Sequence, residues 1–120
     1  MHKPRILVVE DDPLLRETIR RQLNKLGFES VLVESGEAAI ETCNEDISMV
    51  FMDIGLPGID GINATILIRE KELHESRKRT PIVALSGHAK RQEAILVGMD
   101  DFLQKPALMA DLKAMLDKYV

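Results

Sequence analysis

Cys43 is the only cysteine among 120 residues, so no intramolecular disulfide can form and no thiolate set exists for a structural zinc. Its neighbours Ala38, Ala39 and Ile40 mark it as a small core residue of a helical stretch rather than a reactive thiol. Long hydrophobic runs are missing too. The uninterrupted apolar stretches, at 6–9, 49–52 and 82–85 among others, fall far short of the ~20 residues that a membrane-crossing helix needs. Residues 1–5 lead into one of these runs and then into acid, which is no secretory signal, so a cytoplasmic protein without membrane insertion is expected. Basic charge is in deficit as well. Sixteen Lys and Arg against twenty Asp and Glu give a net charge of −4, which argues against nucleic acid as the direct ligand. Control of a separate DNA-binding partner is compatible with that charge. Repeats, low-complexity tracts and linkers are absent.

What is present is a 45% apolar content, enough for a packed core. The length fits one domain, residues 1–120, able to bury roughly two thirds of its unfolded surface. Strand-like and helix-like stretches alternate five times, the pattern of a parallel sheet with helices on both faces. Residues 6–9 form the first expected strand. Asp12 and Pro13 then supply an N-cap and first-turn pair for a helix carrying Leu15, Ile19, Leu23 and Leu26, ended by Gly27. A second strand is expected over 31–33, a helix capped by Ser35 runs through Ala39, Ile40 and Cys43, and a third strand covers 49–52.

Gly55, Pro57, Gly58 and Gly61 make 55–61 a loop, which opens a helix bearing Ile62 and Ile66. The stretch 69–79 mixes both signs of charge and reads as an exposed helix end followed by a loop. Pro81 forces an extended entry to a fourth strand over 82–85, and a helix around 92–97 stops at Gly98. A short fifth strand carries Phe102, and a last helix turns Leu108, Leu112, Met115 and Tyr119 inward. The expected fold class is α/β: a flavodoxin-like (βα)5 unit whose right-handed crossovers favour a five-stranded parallel sheet in the order 2-1-3-4-5.

Acid follows two of these strands, Glu10, Asp11 and Asp12 after the first and Asp53 after the third. Ser86 follows the fourth and Lys105 the fifth, and open parallel sheets build their sites at such strand ends. The expected order makes strands 1 and 3 neighbours, which brings Asp11 to Asp53. Two carboxylates ~4 Å apart repel by roughly 4 kcal/mol at an effective dielectric of ~20, so the cluster calls for a cation or a raised pKa. Oxygen-only donors without histidine or thiolate favour Mg²⁺. The metal, the Lys105 ammonium and the Ser86 hydroxyl suit an incoming phosphoryl group, and Asp53 is the natural acceptor.

These residues resemble a known family. The runs Ile6-Leu7-Val8-Val9-Glu10-Asp11-Asp12, Asp53-Ile54-Gly55-Leu56-Pro57-Gly58-Ile59-Asp60-Gly61, Ala84-Leu85-Ser86-Gly87 and Lys105-Pro106 together are similar to the response-regulator receiver domain of two-component signalling. The resemblance implies that Asp53 takes a phosphoryl group from a phosphohistidine on a histidine kinase or histidine phosphotransfer domain. It implies further that Asp11, Asp53 and the Gly55 carbonyl hold Mg²⁺, with Glu10 acting through a water. Lys105 would pair with the phosphoryl group and Ser86 would move to hydrogen-bond it. Phe102 would rotate inward as the aromatic switch, changing the face formed by the fourth helix, fifth strand and fifth helix for a downstream protein. Gly55 and His88 occupy the positions that tune dephosphorylation, and Gly87 stands where alanine is usual. The run from Pro81 and the longer stretch before it look most like receivers fused to hybrid histidine kinases.

Single residues also carry plainer readings. Asp12 and Asp60 suit helix capping better than metal binding. His88, a lone loop histidine, is expected to be solvated, neither a phosphoacceptor nor a ligand. Two alternatives to a phosphoacceptor module stand beside it: a Mg²⁺-dependent aspartyl-phosphate phosphohydrolase, for which Gly55 replaces the usual second acid and the chain has no room for a cap, and a degenerate receiver used as a scaffold. A flavin-binding electron carrier of similar topology is opposed by the acidic strand ends.

Overall fold

Residues 3–87 and 91–120 are described by the computed structural model, with the backbone alone at Arg91. Ten elements alternate along the chain: β1 (Arg5–Val9), α1 (Pro13–Lys25), β2 (Glu29–Val33), α2 (Gly36–Thr42), β3 (Ile47–Asp53), α3 (Gly61–His74), β4 (Ile82–Ser86), α4 (Arg91–Leu96), β5 (Asp101–Gln104) and α5 (Met109–Tyr119). All strand pairs are parallel, and the sheet runs β2-β1-β3-β4-β5 as expected.

Side chains of a strand alternate between the two faces, and each face collects its own core. Leu7, Val9, Val50, Met52, Ile82 and Ala84 pack against Ala39 of α2, Ala64 and Ile68 of α3 and Ala94 of α4. Ile6, Val8, Met49, Phe51, Val83 and Leu85 point the other way, against Ile19 and Leu23 of α1 and Leu112 and Leu116 of α5. Cys43 is buried in the first of these cores.

Short polar residues start the helices where the sequence placed them. Asp12 Oδ1 accepts from Leu14 N–H at 2.9 Å, with Pro13 opening α1. Ser35 Oγ accepts from Ala38 N–H at 3.1 Å, and Asp60 Oδ1 from Asn63 N–H at 2.8 Å. Each supplies an acceptor to a helix-end donor that has no partner inside the helix. Asp12 and Asp60 are thus caps. Gly27, at φ 90°, carries the chain out of α1 in a conformation open to glycine.

Two expectations need correction. Leu108 was expected inward but is 63% exposed, because it precedes the first turn of α5. The second buried position of that helix is Leu116, after Leu112. The stretch 69–79 is the expected helix end followed by a loop, exposed at Glu70, Leu73 and His74, but within it Glu72 is buried and Arg69 nearly so, and Thr80 just beyond it is buried. Arg69 donates to Glu72 and the Thr80 carbonyl at 2.8 Å, and to the Gly98 carbonyl and Asp100 at 2.9 Å. Glu72 accepts from Thr80 N–H, and Asp100 from Ile82 N–H, both at 2.8 Å. At the corner where α3, β4 and β5 meet, the Thr80 and Ile82 N–H groups are satisfied by carboxylates, that of Glu72 buried and that of Asp100 half-buried.

Among the described residues no helix is long and apolar enough to cross a membrane.

Candidate functional site

The register Val9↔Met52 between β1 and β3 sets Glu10 beside Asp53, at the carboxyl ends of adjacent central strands. Lys105, just after β5, reaches back across the sheet edge. Its ammonium lies 2.9 Å from Glu10 Oε1 and 3.1 Å from Asp53 Oδ1. Gly55 N–H donates to Asp53 Oδ1 at 3.0 Å. The Lys105 backbone N–H donates to the Ser86 carbonyl at 2.8 Å, which ties the fifth strand end to the fourth, and the Lys105–Pro106 bond is cis. Glu10, Asp11, Asp53, Gly55, Ser86 and Lys105 all line one open cleft of about 380 Å³. The strand ends therefore do converge.

Burial sets the electrostatics. Glu10 is fully buried and Asp53 nearly so, whereas Asp11 is exposed. Burial, together with the neighbouring Asp53 carboxyl, pushes Glu10 up to about 7, against the opposing pull of Lys105. Burial also acts upward on Asp53, but hydrogen bonds with Glu10, Lys105 and the Gly55 N–H outweigh it and hold Asp53 below the ordinary range. Lys105 is raised: burial pulls it down, and its two acid partners more than compensate. Glu10 and Asp53 thus share their protons unequally, with Asp53 the ionised member.

Glu10, Asp11 and Asp53 can each turn one oxygen to a common point, those atoms lying within 4.8 Å of one another. The second Glu10 oxygen, Oε2, is buried and accepts no hydrogen bond from a donor among the described residues. A buried acceptor with no donor, beside an all-carboxylate donor set, fits a hard oxygen-seeking cation.

Other expected residues fall in varied places. Ser86 ends β4, buried at the cleft wall. A Cβ added at Gly55 would stand 3.8 Å from Asp53 Oδ1, so position 55 adjoins the carboxylate and presents no side chain to it. Phe102 is half-buried away from the cleft, packed against the core beneath α2, α3 and α4 and paired in register with Ala84. His88 lies outside the described residues.

Sequence reasoning missed Arg16. Its Nη1 donates to the Glu10 carbonyl at 2.8 Å and lies 3.5 Å from the Asp11 carbonyl. The available signal was its place in the first turns of α1, since helical side chains lean toward the helix N-terminus, here the acidic loop.

Known proteins resemble this chain. The family model of the response regulator receiver domain matches residues 6–117. Sensor protein GacS of Pseudomonas syringae pv. syringae is 38% identical over 107 residues, 86% of this chain and 12% of that protein. Hybrid signal transduction histidine kinase F of Dictyostelium discoideum is 35% identical over 123 residues, 98% of this chain and 11% of its own length. The chain therefore spans only about an eighth of these relatives. The receiver domain of sensor histidine kinase PA1611 from Pseudomonas aeruginosa, solved with a magnesium ion in its active-site cleft, superposes with a TM-score of 0.86 at 32% identity, covering 98% of both chains. The receiver domain of Ssk1 from Saccharomyces cerevisiae, solved with the histidine phosphotransfer protein Ypd1, gives a TM-score of 0.91 at 26% identity, over 98% of this chain and 88% of that one. With the sheet order, the convergent strand ends and a family match over nearly the whole length in agreement, the chain belongs to the response regulator receiver domain family.

Proposed function

We propose that residues 1–120 act as one phosphoacceptor module of a two-component phosphorelay, cytoplasmic, with Asp53 as the acceptor. The observation that carries this is the Asp53 carboxylate, ionised and nearly buried at the end of β3, with Lys105 at 3.1 Å and two further acids facing the same cleft. The donor is a phosphohistidine of a histidine kinase or phosphotransfer partner. Asp53 attacks the phosphorus, the N–P bond breaks, and its electron pair returns to the partner's imidazole nitrogen. Asp11, Asp53 and the Gly55 carbonyl would hold Mg²⁺, with Glu10 acting through a water, and the ion would supply positive charge to the phosphoryl oxygens. The Lys105 ammonium, 3.1 Å from Asp53 Oδ1, adds charge beside the acceptor. The Ser86 hydroxyl then donates to the bound phosphoryl group, and Phe102 repositions with it. The added charge of about −1.5 to −2 favours the loop state that satisfies it, and the face formed by α4, β5 and α5 changes for a downstream protein. Gly55 and His88 tune how fast water removes the group. No external substrate is turned over.

Incubation with acetyl phosphate and Mg²⁺ tests the reading. Intact-mass analysis is expected to show one phosphoryl adduct in the wild type, none in Asp53→Asn, and little with EDTA. An adduct of equal yield in Asp53→Asn rules Asp53 out as the acceptor.

A further inference from the structure

Two of the three acids of the β1–α1 loop, Glu10 and Asp11, are held in different ways. Glu10 is buried and paired to Lys105, whereas Asp11 is exposed and nothing among the described residues donates to its carboxylate. Asp11 is therefore placed by its backbone alone. That backbone is fastened on both sides of Glu10: the Glu10 N–H donates to the Val33 carbonyl at 3.2 Å, and its carbonyl accepts from Arg16 Nη1 at 2.8 Å. The same nitrogen stands 3.5 Å from the Asp11 carbonyl, and Nη2 is 3.5 Å from Glu34 Oε1, which steadies the guanidinium against the β2–α2 connection. Only 16% of the Arg16 side chain is exposed, so water competes poorly for this grip.

We propose that Arg16 is a positioning residue for the acids that bind the divalent cation, fixing where Glu10 and Asp11 present their oxygens. The proposal rests on the reading of Glu10, Asp11 and Asp53 as a Mg²⁺ site. Two effects of Arg16 oppose each other. Its positive charge repels a cation, so loss of charge alone would tighten Mg²⁺ binding; its tether holds the loop, so loss of the tether loosens it. The cation would sit in the open cleft that the acids line, where solvent and salt screen the repulsion, while the carbonyl contact is short and shielded. Positioning dominates. Outer groups that orient metal ligands typically change affinity by ~10–100-fold when removed.

Calorimetric titration with Mg²⁺ alone, on the wild type, Arg16→Ala, Arg16→Lys and Arg16→Gln, tests this. Arg16→Ala is expected to raise the Mg²⁺ dissociation constant by ~10–100-fold and to shift the amide resonances of Asp11 and Asp12, while saturating Mg²⁺ restores the beryllofluoride adduct. Arg16→Lys recovers most of the affinity, since an ammonium still offers Glu10 a donor. Thermal melting verifies folding; if Arg16→Ala unfolds, Arg16→Gln decides, because the charge account predicts tighter binding and the tether account weaker. Unchanged or tighter binding in a folded Arg16→Ala or Arg16→Gln overturns the proposal. A wild type that takes up no Mg²⁺ removes the metal-site reading, and this inference with it, a result recognisable before any variant is compared.

Discussion

Gly61 shows how little room lies around Asp53, the proposed acceptor. It opens α3 directly behind the Asp53–Gly55 turn, its N–H donating to the Ile54 carbonyl at 3.1 Å. A Cβ there would stand 2.2 Å from the Asp53 carbonyl oxygen and 2.9 Å from Ile54 Cα, both backbone atoms that cannot swing aside. Gly61→Ala must therefore push the end of β3 away from α3. We expect it to cost about 3 kcal/mol in urea unfolding and to weaken phosphorylation at Asp53, because the displaced atoms carry the proposed acceptor. Phosphorylation and stability both unchanged would mean that the turn relaxes without moving Asp53. Gly61 was legible in the sequence only as a loop breaker. The close approach that requires it comes from a neighbouring backbone, and local pattern holds no sign of it.

At the scale of elements, the α3–β4–β5 corner depends on Glu72. One carboxylate oxygen takes Arg69 and the other the Thr80 N–H, all of them buried or nearly so. Glu72→Ala leaves a backbone donor and part of a guanidinium without partners, and is expected to cost about 3 kcal/mol in denaturant unfolding. Glu72→Gln should cost less, because its amide oxygen can still accept from Thr80. Leu73→Ala, at an 82% exposed neighbour, serves as the near-neutral control. A loss below about 1 kcal/mol for Glu72→Ala would contradict the assigned role. The strands, their order and the acids at their ends were legible because alternation and strand-end position are local signals. Glu72 was not. Its environment is built by residues such as Asp100, which bonds to Arg69 across 31 positions of chain, and a mixed-charge run looks the same whether it faces water or a packed corner.

On the scale of the whole molecule, the site and the stability of the fold are linked through Glu10. Its carboxyl titrates near 7 in the folded protein, raised first by burial and then by Asp53, and at about 4.5 in an unfolded chain. The folded state thus binds the proton more tightly, and the associated stability is fully present below about 4.5 and lost as pH rises through about 7. Asp53 and Asp101 are both lowered, so their contributions fade only at more acidic pH and leave this window to Glu10. Protein kept metal-free with EDTA should therefore gain stability from pH 8 to pH 5, by at most about 3 kcal/mol. In the proposed site Mg²⁺ would favour the ionised Glu10 carboxylate and so oppose that proton. Its stabilisation, about 2.7 kcal/mol at a hundredfold excess over the dissociation constant, should be large at pH 8 and shrink toward pH 5. Glu10→Gln removes the titrating group and should flatten the metal-free profile. Melting curves across this range, with Mg²⁺ and with EDTA, check both slopes; a metal-free slope that persists in Glu10→Gln would place the controlling proton on another group.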